Sequence, residues 1–191
     1  MLPISTHSEY ERMRIAVAQT RPAAGDIQRN IEGHLRLIGL AVADGAELVV
    51  FPELSITGYE PTLVEESAVS EDDRRFDPFQ DISSASGISI GIGAPTRNEN
   101  GICISVILIQ PRVGRKVYSK MHLHRSEERY FVAGPKSANL LGEDGKTALA
   151  ICYELSVPEH AANASRNGAE TYLGNSPEID SRFQGPSGMA V

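Results

Sequence analysis

A chain of 191 residues, 41% hydrophobic and 23% charged, can bury one real core and has the make-up of an ordinary soluble globular protein. Lys plus Arg is 18 and Asp plus Glu is 25, a formal net charge of -7; with no clustered basic stripe, nucleic acid is not an expected partner. No apolar run approaches a membrane span, no basic start followed by an apolar stretch reads as a secretory signal, and two cysteines cannot make a disulfide framework. A cytoplasmic protein with reduced thiols and no membrane partner is therefore expected.

Residues 1–12 are polar and read as a flexible N-terminus. "MRIAVAQT" (13–20) alternates as a first strand, with Ile15 and Val17 on one face. The following segment reads as a helix: Asp26 is a good N-cap, Ile27, Ile31, Leu35, Ile38 and Val42 trace one apolar face, and Gly45 ends it. "AELVVFPE" (46–53) is a buried strand stopped by Pro52. A weaker helix covers residues 70–87, with Pro78 near its start. "ISIGIGAPT" and "ICISVILIQP" are two more strands, and "GRKVYSKMHL" is their hairpin partner. Thr147 to Ile151 is apolar on both faces, as a central strand should be. Pro158 then opens a helix and Gly168 lies just past its end. Strand–helix–strand followed by paired strands predicts an α/β layered fold with a mixed sheet. There is no internal repeat.

Three chemistry-bearing residues fall at or just past strand ends, where open α/β folds place their sites. Glu53 follows "LVVFP"; a carboxylate directly after a buried strand is poorly solvated, which raises its pKa and suits a general base, although a surface glutamate opening a loop would read the same way. Lys120 ends "RKVYSK" and would ordinarily be a solvated rim residue. Cys152 closes the strand "TALAI", where a cysteine could equally be a small core hydrophobe. Together they have a logic. A thiol is mostly protonated at neutral pH, Glu53 can take its proton, and Lys120 can stabilise first the thiolate and then the oxyanion formed on a carbonyl or nitrile carbon. Rivals are weaker. His160 lies on the following helix and is expected to face out, "HLH" (122–124) lacks partners at metal-ligand spacing, and the glycines of "GISIGIGAPT" make no phosphate loop. Cys103, inside "ICISVILIQ", reads as core. No metal and no cofactor are expected.

"VVFPELSITGY", "YSKMHLHRSEERYFVAG" and "LAICYELSVPE" resemble, in the same order, the three catalytic blocks of the nitrilase, or carbon–nitrogen hydrolase, superfamily. The opening "MRIAVAQTRPAAGDIQRNI" is similar to its first strand and helix, so the resemblance covers residues 13 to about 174. It implies a nitrilase-type α-β-β-α sandwich with Glu53 as base, Lys120 as cation and Cys152 as nucleophile. It also implies a supporting glutamate at Glu127, with Glu128 as the fallback, and an oxyanion held by Lys120 and the Tyr153 backbone N–H. Hydrolysis of a small-molecule amide through a thioester is the implied reaction, nitrile hydrolysis a remote alternative, and a papain-like or metal-dependent hydrolase more distant still. A complete chain is expected to be a homo-oligomer.

Two departures stand out. Leu155-Ser156 occupies a place where many relatives have Arg-Phe, which leaves the substrate class open. After "NGAETYLGN" the chain runs "SPEIDSRFQGPSGMAV", unlike the strands with which relatives continue. Residues 13–174 are thus expected to form an incomplete hydrolase domain and 175–191 an atypical, irregular tail. The competing expectation is a truncated, inactive fragment that retains the triad, poorly soluble or self-associating, and at most an interaction module.

Overall fold

A computed structural model describes residues 13–136, 140–141 and 145–176. The N-terminal segment 1–12 and the tail from residue 177 lie outside the described residues. Five strands form the first sheet in the order β1 (Ile15–Val17), β2 (Leu48–Val50), β3 (Ser89–Asn98), β4 (Gly101–Gln110), β5 (Gly114–Ser119). The first three are parallel, and the β3–β4–β5 meander is antiparallel. A second, three-stranded sheet pairs β6 (Leu140–Leu141) antiparallel and β8 (Thr171–Asn175) parallel to the central β7 (Thr147–Ile151). Both sheets are mixed, and the second is the smaller among the described residues.

Strand parity sorts the core into layers. In β4, Ile107 and Ile109 face the helices, whereas Ile104, Val106 and Leu108 face the other way. Helix α1 (Ile27–Ala43) begins at Asp26, whose side chain accepts from Arg29 N, and presents Ile27, Ile31 and Ile38 to the first sheet. After the short α2 (Val64–Ser67), a 3-10 turn at Arg74–Phe76 leads into α3 (Asp77–Ser86), with Pro78 in its first turn. Phe76 and Phe79 complete this layer, and each such side chain contributes about 1.5–3 kcal/mol on burial. The opposite face of the sheet packs on β7: Ile104, Val106 and Tyr118 meet Leu149 and Ile151. Helix α4 (Pro158–Arg166) follows β7 after a 3-10 turn at Cys152–Ser156. No helix among the described residues is long and apolar enough to cross a membrane.

The expected elements are present, but β8 is not among those read from the sequence, the helix expected over 70–87 is a helix only over Asp77–Ser86, and three further differences stand out. Val17 does not share in the core: Ile15 packs on Leu48, Val50 and Leu108, but Val17 is 83% exposed at the end of an edge strand. The strand at Leu140–Leu141 and helix α2 are too short for a periodicity to announce them. The α1 face also buries polar groups. His34 stacks on Phe51, with Nδ1 on the Asn30 carbonyl and Nε2 on the Ser55 hydroxyl. Burial pushes its pKa down to about 4, so it is a neutral core histidine.

Candidate active site

Each side chain of the site is delivered by a backbone with little freedom. Glu53 follows β2 on the stretch Phe51-Pro52-Glu53-Leu54, which crosses directly over Gly93 of β3. A Cβ on Gly93 would lie 2.1 Å from the Pro52 carbonyl oxygen and 2.6 Å from Leu54 N. Only glycine permits that approach. Gly93→Ala is therefore expected to displace the Glu53 segment, costing several kcal/mol in urea denaturation; unchanged stability would show that the stretch yields freely. Lys120 follows β5 and is pinned on both sides, its N–H donating to Ile104 O at 2.8 Å and its carbonyl accepting from Gly134 N at 2.7 Å.

The Lys120 ammonium is wholly buried and donates to Glu53 Oε1 and Glu127 Oε1, each at 2.8 Å. Glu127 Oε2 in turn accepts from His124 N at 2.7 Å. Glu128, the alternative partner in the sequence, is exposed. Burial opposes the charge on Lys120, but the Glu53 charge and the hydrogen bonds to both carboxylates outweigh it and hold the ammonium above its ordinary pKa. Glu53 is pushed up from the usual carboxylate range, mainly by burial and secondarily by Glu127, against the pull of Lys120. A hydrogen bond with the Cys152 thiol also pulls it down, and its Oε2 is buried.

Cys152 sits where β7 breaks into the 3-10 turn and adopts a left-handed φ of 46°. A non-glycine residue is strained there by about 1–2 kcal/mol. Its thiol interacts with Glu53, Lys120 and Glu127, so the structure brings the three sequence candidates and Glu127 together. Burial and then the Glu53 charge push the thiol up; Lys120 and a hydrogen bond with Ser176 pull it down, and the net shift is upward. A protonated thiol hydrogen-bonded to the Glu53 carboxylate is the result. Tyr153 follows with its ring edge-on to His124, and Cys103 lies fully buried in β4.

The turn is anchored by a residue that sequence reasoning passed over. Glu154 is fully buried, and its carboxylate accepts from Ile151 N (2.8 Å), Tyr118 Oη (2.5 Å), Met121 N (2.6 Å) and His122 N (3.2 Å). It thereby ties the Cys152 turn to the loop that begins at Lys120. The signal in the sequence was a lone carboxylate between Tyr153 and Leu155, and it could not be told from a surface charge. His160 corrects an expectation. It does not face out but is 4% exposed, with Nε2 on Tyr118 Oη (2.9 Å) and Nδ1 on Tyr172 Oη (2.7 Å). Two tyrosines from different sheets supply the polar partners that make its burial tolerable.

Beside Glu53 opens a cleft of about 570 Å3 lined by Thr20, Arg21, Ser55, Tyr59 and Glu60. Tyr59, 42% exposed, has its phenol pushed up to about 12 by burial and by the carboxylates of Glu127 and Glu53.

The sequence model of carbon-nitrogen hydrolases matches residues 14–190. The chain belongs to the carbon–nitrogen hydrolase family. The match runs through the segment that its sequence pattern sets apart as a tail. Among relatives, the hydrolase of the pqqF 5′ region of Pseudomonas protegens is 30% identical over 172 residues, which are 87% of this chain and 60% of that protein. An arylacetonitrilase of Hypocrea virens is 26% identical over 88% of this chain and 56% of its own length. The chain thus spans somewhat over half the length of these relatives. An amidase from Nesterenkonia sp. AN1, solved with butyramide, superposes with a TM-score of 0.74 at 26% identity, over 86% of this chain and 65% of the amidase. Another form of that amidase shows covalent addition of the acetamide moiety of fluoroacetamide at its active-site cysteine. As in that amidase, this carbon–nitrogen hydrolase is built on the α-β-β-α sandwich with mixed sheets, its second half smaller among the described residues.

Proposed function

We propose that this carbon–nitrogen hydrolase cleaves the C–N bond of a small amide, giving an acid and ammonia or an amine, through Glu53, Lys120 and Cys152. The observation that carries this reading is the buried Lys120 ammonium held 2.8 Å from each of two carboxylates beside a strained cysteine. Glu53 Oε2 takes the thiol proton as sulfur attacks the carbonyl carbon. The resulting oxyanion is stabilised by the Lys120 ammonium and the Tyr153 N–H. The C–N bond breaks as Glu53 returns the proton to the leaving nitrogen, leaving a thioester on Cys152. Water then attacks the thioester carbon, gives its proton to Glu53, and the C–S bond breaks to release the acid and restore the thiol. Glu127 holds Lys120 in place and is a positioning residue. Nitriles are a second class of electrophile open to the same thiol, and the arylacetonitrilase relative favours testing them.

Ammonia release from a panel of short amides and nitriles, with intact-mass detection of an acylated chain, tests the proposal. Native turnover no greater than that of a Cys152→Ala control would overturn the reading. Glu53 acts as a base only when ionised, and burial raises its pKa above the ordinary 4.5. Activity is therefore expected to fall with acid at a pH above that of an ordinary glutamate, and to be retained above it. Glu53→Gln should remove this acid limb and slow turnover about 10²–10⁴-fold.

A further inference from the structure

The end of β8 lies against the nucleophile. Asn175 pairs in register with Ile151, the residue before Cys152, and Ser176 hydrogen-bonds the Cys152 thiol. In a parallel pair, registered residues present their side chains to the same face. Ile151 packs between the sheets, so Asn175 points there too. Its Nδ2 donates to the carbonyl of Phe51, two residues before Glu53, and thereby crosses from the second sheet to the first. Asn175 is 2% exposed, yet its Oδ1 has no hydrogen-bond partner among the described residues. A buried acceptor left unmade is costly, so such an atom, on the residue paired with the one before Cys152 and bonded to the residue two before Glu53, calls for a donor. A carboxamide brings two N–H donors to this place. A nitrile brings none.

We propose that Asn175 is a specificity-determining residue of this site, its Oδ1 accepting an N–H of the bound carboxamide and so favouring primary amides over nitriles. The inference rests on Cys152 being the reacting thiol, as proposed above. Alkylation separates the two claims without requiring turnover. Cys152 is treated with iodoacetamide and with iodoacetonitrile, two alkylators of similar size of which only the first carries amide N–H groups, and each rate is divided by that of glutathione. The normalised iodoacetamide rate in the native chain is expected to exceed the iodoacetonitrile rate about tenfold. Asn175→Ala should bring the ratio back to that of glutathione. A native ratio equal to that of glutathione, with Cys152 still alkylated faster than Cys103, overturns the role of Asn175 and needs no variant to fold. An Asn175→Ala chain slowed equally toward both reagents overturns it as well, since that is the mark of a structural residue. Cys152 reacting no faster than Cys103 instead removes the nucleophile reading itself.

Discussion

Cys152→Ala is expected to leave the fold in place and to lower amide hydrolysis roughly 10⁴-fold or more, since groups that act as a unit fail together. The change deletes one sulfur from a half-buried position and leaves the Lys120 pairs intact. Native alkylation followed by peptide mapping tests the same role from the other side. Cys152 should carry the label and Cys103 should be spared. Both thiols are pushed up by burial, so thiolate content alone does not separate them. Access and a base do. Cys103 is fully buried in β4 with Asn98 Nδ2 on its sulfur, whereas Cys152 is partly open and has Glu53 beside it. It follows that Glu53→Gln should slow labelling of Cys152 as well. Equal labelling of both cysteines, or residual turnover near wild type in Cys152→Ala, would end the nucleophile assignment.

The largest expected effect on stability belongs to Lys120→Met. The methionine fills most of the lysine's volume but leaves Glu53 and Glu127 facing each other with no cation, both at least 96% buried in their side chains. Removing one partner of a buried ion pair costs about 3–5 kcal/mol. At least one carboxylate must then take up a proton to stay inside. Urea denaturation should show the loss, and it should shrink as the pH is lowered toward the range where carboxylates protonate. Combining Lys120→Met with Glu53→Gln and Glu127→Gln should recover much of the stability without any activity. A single Lys120→Met chain as stable as the native protein would mean that water or a rearranged loop already screens these carboxylates.

Part of the site was legible because Glu53 and Cys152 each follow an apolar strand, whereas Lys120 follows a polar one and stands out only by the company it keeps. It was the resemblance of three whole blocks, in order along the chain, that singled these residues out. Glu154 and His160 were not legible for the opposite reason. Their partners are Ile151, Tyr118, Met121, His122 and Tyr172, drawn from both sheets, and no local pattern announces a tertiary hydrogen bond. Val17 misled in the same way: alternation marks a face but not what covers it, and an edge strand can leave that face open. Asn175 stood one residue beyond the expected end of the hydrolase domain. Its relevance emerges only from the pairing that sets it beside Ile151.

The site is divided between the two sheets. Glu53, Lys120 and Glu127 come from the segments that follow strands of the first sheet, while Cys152, Asn175 and Ser176 close strands of the second. Glu53 and Cys152, the proposed base and nucleophile, therefore meet through the apolar seam formed by Ile104, Val106, Leu149 and Ile151, pinned by the Glu154 hydrogen bonds and by Asn175 on Phe51. That seam doubles as an alignment device. A small slip between the layers would leave each sheet intact yet part the sulfur from Glu53, and the proton transfer proposed between them tolerates little misplacement. The proposed reaction, and the reactivity of Cys152 with it, is thus a sharper gauge of how the layers dock than any measure of strand content.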